Sequence, residues 1–149
     1  MPSLTSLVAK YRKSLNTVVS GSCREVSHES VELSPVLSGS LVLSWSASIG
    51  SPSENDVTLP VPDEATTPFG LWNNPREQEY KATAQDAATN VTRLISPGQD
   101  YYFTNPKPYA TEIEYEGVSY QKAPAGMRDI AVAQWQSIVD EQTVKARGS

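Results

Sequence analysis

The sequence contains one cysteine, one histidine and no long apolar run, and each shortage excludes a class of protein. A lone Cys23 and a lone His28 cannot build a Cys/His zinc site, and one cysteine cannot form a disulfide within the chain. No apolar stretch approaches the ~18 residues that a transmembrane helix requires. The segment from Met1 to Asn16 lacks the apolar block of a secretory signal. Because the glycine-rich phosphate-binding motifs are also missing, we expect neither a metal nor a cofactor.

Acidic residues dominate the second part of the chain. Residues 1–50 carry four basic and three acidic side chains, so the net charge of −5 divides into +1 there and −6 in residues 51–149. A negatively charged surface repels the phosphate backbone, which argues against electrostatic binding of nucleic acid. One acidic stretch has no basic residue within it and consists of Glu54, Asp56, Asp63 and Glu64.

The length of 149 residues predicts one domain, 1–149, with a long loop inserted at 51–76. This loop contains five prolines and no usable periodicity, and two interpretations stay open. It is either a mobile loop or an arm that orders on a partner. Its apolar anchors would be Val57-Leu59-Val61 and Phe69-Leu71-Trp72.

Apolar periodicity predicts an α+β fold in which a long N-terminal, a central and a C-terminal helix pack on a small, mainly antiparallel sheet. The N-terminal helix is capped by Ser3 or Thr5, has a bend or break near Gly21-Ser22, and ends before Pro35. Two strands alone are marginal, so we expect a third from residues 51–76 or from a neighbouring subunit. The other predicted elements are strands at 41–49 and 101–104, a short helix at 109–115, and helices at 77–95 and 127–142.

The three tryptophans receive different interpretations. Trp45 lies on the apolar face of a predicted strand and Trp135 on the apolar face of a predicted helix, so we expect both in the core. Trp72 lies in the long loop, where core packing explains it least. Because tryptophan is enriched at the centres of interfaces, we interpret Trp72 as an interface anchor.

Catalytic patterns are weak. Cys23 and His28 are five positions apart, whereas side chains on one helix face are three or four apart, so a half-buried thiol and a surface imidazole are the favoured interpretation. Glu112, Glu114 and Glu116 lack metal-ligand spacing and are better explained as a solvated acidic face. A small hydrolase or ligand-binding domain that uses Glu112, Glu114 and His28 remains a remote alternative.

Two separated blocks carry a resemblance to a known family. The first block is Ser34-Pro-Val-Leu-Ser-Gly-Ser-Leu, followed by Ser44-Trp45 and Ala47-Ser-Ile-Gly50. The second runs from Asn105 through Pro108-Tyr-Ala110, Ile113-Glu-Tyr115, Gly117, Ser119 and Gln121 to Ala123-Pro-Ala-Gly-Met127. Together they resemble the neck and tail-completion proteins of tailed bacteriophages. Leu37-Ser38 stand where that family commonly has Asp-Thr, and Glu116 is an insertion.

The resemblance implies a non-catalytic subunit of the virion, made in the host cytoplasm. It implies a homo-oligomer, expected as a hexameric ring, that terminates the tail tube or joins it to the head connector while DNA passes through the lumen. Its expected partners are the tail tube protein and head-closure or connector proteins. The alternative is a head-closure (stopper) or adaptor protein on the portal side.

Several residues are candidates for these contacts. For the lumen we name the four residues of the acidic stretch, because a negative channel lets DNA slide without gripping it. The inter-subunit or docking candidates are Phe69, Leu71, Trp72, Tyr109, Glu114, Tyr115, Gln121 and Met127.

Overall fold

The computed structural model describes residues 3–62, 74–107 and 129–148. The described chain is mixed α+β and mostly helical, with a two-stranded antiparallel sheet. This confirms the predicted fold class. The elements are α1 (Leu4–Glu32), α2 (Ser40–Leu43), β1 (Ser46–Ile49), α3 (Glu77–Thr92), β2 (Tyr101–Thr104), α4 (Asp129–Ala133) and α5 (Trp135–Arg147).

Helix α1 organises the packing, since it contacts both α3 and α5. Of the two predicted caps, Ser3 is the one that caps its start, by accepting a hydrogen bond from the backbone N–H of Ser6 at 3.1 Å. The sequence predicts a bend or a break near Gly21; the helix continues through this residue, so there is no break. Close packing explains this glycine, because a Cβ on Gly21 would collide with the side chain of Gln142 on α5. The C-terminal carbonyl of Glu32 accepts a hydrogen bond from Lys81 Nζ of α3 at 2.6 Å.

The strand predicted at 41–49 is only half correct. Gly39 adopts a positive φ of 95° and residues 40–43 then form a helical turn, which leaves only Ser46–Ile49 as a strand. Consecutive burial of Leu41 and Val42 fits a short helix with a neighbour on two sides better than a half-exposed strand. A Cβ at position 39 would also lie 2.7 Å from the ring of Tyr80. Glycine is therefore required both by the positive φ and by the closeness of this ring.

The sheet pairs β1 with β2 so that Ser46 is opposite Thr104 and Ile49 is opposite Tyr101. Within the described residues the expected third strand does not occur, because residues 51–62 form no strand. The sheet is supported instead by the core beneath it. Trp45 stacks on Phe103 with ring centroids 4.6 Å apart, and its indole N–H donates to Ser34 Oγ at 2.8 Å.

The remaining helices differ from prediction in extent and in the face they bury. Helix α3 ends at Thr92, before the predicted end at Ile95, and Leu94 is 74% exposed although its spacing predicts burial. The predicted C-terminal helix is divided into α4 and α5 and extends to Arg147. Trp135 is 42% exposed, so its predicted place in the core is wrong. The helix predicted at 109–115 lies outside the described residues.

Candidate interaction surface

All eight predicted docking residues lie outside the described part of the chain. The structure places Glu54 and Asp56 of the acidic stretch, and both are exposed. The predicted contact residues not described are Phe69, Leu71, Trp72, Tyr109, Glu114, Tyr115, Gln121 and Met127, and the undescribed lumen candidates are Asp63 and Glu64.

Asp56 has a cationic partner that the local sequence does not reveal. Lys107 Nζ lies 2.6 Å from Asp56 Oδ1 and 3.2 Å from Thr58 Oγ1. The Lys107 side chain is only 8% exposed, whereas that of Asp56 is 66% exposed. The pair therefore neutralises a nearly buried ammonium group at the edge of the fold. Asp56 is fixed in place, and its charge is largely compensated, contrary to the expectation of an unbalanced acidic stretch.

The start of the predicted 51–76 loop is attached to its own subunit. The backbone N–H of Val57 donates to Ser44 Oγ at 3.0 Å, and that of Leu59 donates to Ser40 Oγ at 2.8 Å. The two serines are one helical turn apart at α2, and the two backbone donors alternate along an extended segment. The backbones of Val57 and Leu59 are therefore anchored on their own chain, while Val61 is 49% exposed.

The first residue of the second resemblance block contacts the first block, and the rest of the second block, 108–127, lies outside the described residues. Asn105, the first residue of the second block, donates its side-chain amide to the carbonyl of Leu41 in the first block at 2.8 Å. The same side chain accepts a hydrogen bond from the backbone N–H of Lys107 at 3.1 Å. Strand β1, inside the first block, pairs with β2 directly before Asn105. Asn105 thus links helix α2 to the chain that leaves strand β2.

Cys23 and His28 are engaged separately. Burial raises the pKa of the Cys23 thiol to about 11, which disfavours the thiolate that a nucleophile needs. His28 Nε2 lies between α1 and α3, 2.8 Å from Thr89 Oγ1 and 3.1 Å from the carbonyl of Gln85. Both side chains thus serve the packing of α1. In the described ranges, no three His, Cys, Asp or Glu side chains are grouped so that they would hold a metal ion.

A second buried polar cluster lies beside Cys23. Tyr101 Oη and Ser27 Oγ are 2.6 Å apart, and Ser27 Oγ also donates to the carbonyl of Cys23 at 2.8 Å. Burial raises the pKa of Tyr101 to about 12, although the hydrogen bond with Ser27 acts in the opposite direction. The cluster joins β2 to α1 through neutral hydroxyl groups.

The largest exposed apolar feature of the described residues lies on the N-terminal half of α1. Every residue from 4 to 13 is exposed. Five large apolar side chains on this half form what we call the apolar stripe. They are Leu4 (77% exposed), Leu7 (37%), Val8 (46%), Tyr11 (68%) and Leu15 (55%).

An open groove of about 500 Å³ lies at the inner end of the apolar stripe. Val8, Tyr11 and Leu15 line one side of it, and Ser96 and Pro97 from the turn after α3 line the other. The exposed Leu94 belongs to the same turn. The apolar stripe is therefore continuous with a second element of the fold, which widens the surface available to a partner.

The sequence pattern predicts that the residues of the stripe lie on one face of a helix, but it does not predict that this face is exposed. A second exposed pair, Val132 on α4 and Trp135 on α5, was missed because its spacing is the same as that of a buried face. Among the described residues, no helix combines the length and the apolar character that crossing a bilayer requires. No family model, curated protein or solved structure matches the chain.

Proposed function

We propose that this chain is a structural subunit of the neck of a tailed bacteriophage. It assembles as a homo-oligomeric ring, expected as a hexamer, that terminates the tail tube or joins it to the head connector. DNA passes through the lumen of the ring, and the subunit performs no catalysis. The partners are the tail tube protein on one side and head-closure or connector proteins on the other.

The observation that carries this proposal is the contact of Asn105, the first residue of the second resemblance block, with the first block. The blocks lie far apart in the sequence, yet Asn105 of one binds the carbonyl of Leu41 of the other at 2.8 Å. The Trp45 of the first block also stacks on Phe103, which closely precedes Asn105. The first residue of the second block thus lies against the first block, as expected if both blocks belong to one structural unit.

The surface of the subunit also favours assembly over catalysis. The thiol of Cys23 is buried and protonated, and the imidazole of His28 is held by α3. In contrast, the apolar stripe on α1 is open to solvent. Large contiguous apolar patches are rare on the surface of monomeric proteins, and where they occur they commonly mark an interaction site. This combination is expected of a building block and not of a small hydrolase.

Electron microscopy of the full chain with its expected partners tests the proposal. Purified protein is mixed separately with tail tubes and with portal rings. A ring with a central hole at the end of the tube supports a tail terminator or completion protein. A ring on the portal supports the head-closure or adaptor alternative. A chain that forms no ring on either partner, and none at high concentration, would overturn the proposal.

The negative lumen has its own test. Of the four lumen candidates, Glu54 is exposed and has no ion-pair partner among the described residues, whereas Asp56 is paired with Lys107. We expect assembled Glu54→Lys rings to retain DNA in a salt-sensitive manner, because each ring would then carry several new cations facing the channel. Asp86→Lys on the exposed face of α3 is the matched control. Equal DNA retention by both variants would contradict a lumenal place for Glu54.

A further inference from the structure

The N-terminal half of α1 lacks support from the rest of the described fold. Residues 4–13 are exposed on every side, so the helix here makes few tertiary contacts. At a rise of about 1.5 Å per residue, the segment 4–17 extends about 21 Å, and an isolated helix of that length is only marginally stable in water. An amphipathic helix of this length is normally stabilised by the surface that covers its apolar face. The exposed stripe therefore calls for a covering partner.

The spacing of the stripe specifies the shape of that partner. Leu4, Val8, Tyr11, Leu15 and Val18 follow one another at alternating intervals of four and three positions. This is the repeat by which helices pack along a narrow seam. Val18 is already half-buried, so the seam begins in the body of the subunit and continues outward into solvent. A helix or a grooved protein surface fits such a seam.

The charge of the residues around the stripe indicates the charge of the surface that covers it. All acidic residues of the chain lie after Cys23, whereas Lys10, Arg12 and Lys13 lie before it. The segment 1–23 therefore carries +3 and the segment 24–149 carries −8. Two such half-helices side by side would repel each other through their basic residues. The acidic body of another copy attracts them instead.

A membrane surface is the competing partner, since basic amphipathic helices also bind anionic lipid. Two observations favour protein. The stripe is a narrow row of large apolar side chains, widened only where Leu7 lies beside Val8, and the basic residues beside it are only three. The body attached to the helix carries −8, which an anionic membrane would repel.

We infer that the apolar stripe of α1 docks onto the acidic body of a second copy of this chain. The contact is head-to-tail, because a basic half-helix of one copy meets an acidic surface of the next. Repeated contacts of this kind generate a closed ring when the rotation between copies closes. The inference rests on the proposed function only in requiring self-association, and it assigns that self-association to residues outside the docking candidates named from sequence.

A matched pair of variants on one helix tests the inference. Tyr11→Glu introduces a charge into the stripe, and Ala9→Glu introduces the same charge about 200° around the helix at another exposed position. Light scattering coupled to size-exclusion chromatography measures self-association of the full chain. We expect the Tyr11→Glu dissociation constant to rise at least about tenfold and that of Ala9→Glu to remain close to the wild-type value. Circular dichroism checks that both variants keep the fold.

A neutral variant and a salt series separate the apolar from the charged contribution. Tyr11→Ser with Leu15→Ser should weaken assembly without changing charge, and raising the salt concentration should weaken wild-type assembly as the basic half-helix is screened. When wild-type rings form only on tail tubes, the same variants are compared there by electron microscopy.

The outcomes separate this inference from the proposed function. If wild type and Tyr11→Glu assemble equally well, the inference is overturned, while the proposed ring-forming neck protein stands and assembles through another surface. If wild type remains monomeric in solution, on tail tubes and on portal rings, both fail. If wild type sediments with vesicles containing anionic lipid, Tyr11→Glu does not, and neither self-associates, the stripe binds membrane and the inference is overturned.

Discussion

The side-chain oxygen of Ser44 accepts a hydrogen bond from the backbone N–H of Val57 at 3.0 Å and donates one to the carbonyl of Ser40 at 2.6 Å. Ser40 forms the same kind of contact with Leu59. The hydroxyl groups of Ser40 and Ser44 thus accept the backbone hydrogen bonds that a neighbouring strand would otherwise accept from the extended segment around Val57 and Leu59. The segment that follows β1 keeps its place through side chains and not through a sheet.

Removing these hydroxyls should release the segment. Ser44 is fully buried, so Ser44→Ala leaves the N–H of Val57 without its acceptor, and we expect the free energy of unfolding to fall by about 1–3 kcal/mol. Limited proteolysis of Ser40→Ala/Ser44→Ala should also cut between Ser53 and Leu59, where wild type resists. Ser48→Ala removes only an exposed contact with Ser51 and is the control. Equal cleavage of the double variant and wild type would contradict this role.

Trp45 and Trp135 should respond differently to the same substitution. Trp45→Phe loses the hydrogen bond to Ser34 and part of the stacked contact with Phe103, so we expect a loss of about 1–3 kcal/mol in chemical denaturation. Trp135→Phe alters a half-exposed side chain and should stay within about 0.5 kcal/mol of wild type. A larger loss for Trp135→Phe would place that residue in the core, as its spacing predicts.

Gly21 and Gln142 should be energetically coupled. A Cβ at position 21 would meet Gln142 Cδ at 2.8 Å, and Gln142 is 2% exposed, so Gly21→Ala forces a buried amide to move and should cost about 1–3 kcal/mol. After Gln142→Ala the collision is gone, and the higher helix propensity of alanine should make Gly21→Ala stabilising by up to about 1 kcal/mol. Denaturation of both single variants and the double variant measures the coupling. Additive effects would rule out this packing.

Alkaline pH should weaken the fold through Cys23 and Tyr101. Burial raises the pKa of Cys23 from 9.0 to about 11 and that of Tyr101 from 10.0 to about 12. The unfolded chain releases these protons first, so their contribution to stability is complete below about pH 9 and is lost as the pH rises towards about 12. Tyr101→Phe should flatten the decline between about pH 10 and 12, as measured by chemical denaturation at each pH.

The same burial protects the thiol. Cys23 should react with a thiol reagent at about pH 8 only after denaturant is added, because the native thiol remains protonated and covered. Rapid labelling of the native protein, at the rate seen for unfolded protein, would contradict the buried environment of Cys23.

Elements with a strong local signal were predicted well. Helix α1 has a capping serine and a long periodic stripe, and its end before Pro35 follows from backbone sterics. Strand β2 matches its predicted bounds. The strand at 41–49 was predicted only in part, because alternation among Leu41, Leu43 and Trp45 does not reveal that Gly39 turns the chain into a helix first.

For the candidate surface, too, local patterns predict the helices but not which of their faces are covered. Periodicity identifies the N-terminal half of α1 and Trp135 as apolar faces of helices, but a face is covered only where another element reaches it. Pairing across the fold was equally invisible, because Lys107 is distant in sequence from Asp56, as Asn105 is from Leu41. No local pattern encodes such separations.

The sequence by itself determined the long capped helix, because a helix depends on neighbours three or four positions apart. It also determined that Cys and His ligands are scarce and that all acidic residues follow Cys23, because these are properties of composition and order alone. Only the tertiary structure decided that the apolar stripe of α1 faces solvent while Trp45 is enclosed by Ser34 and Phe103. The physical reason is that burial is a property of where distant elements meet, and the helix is longer than the body that packs against it.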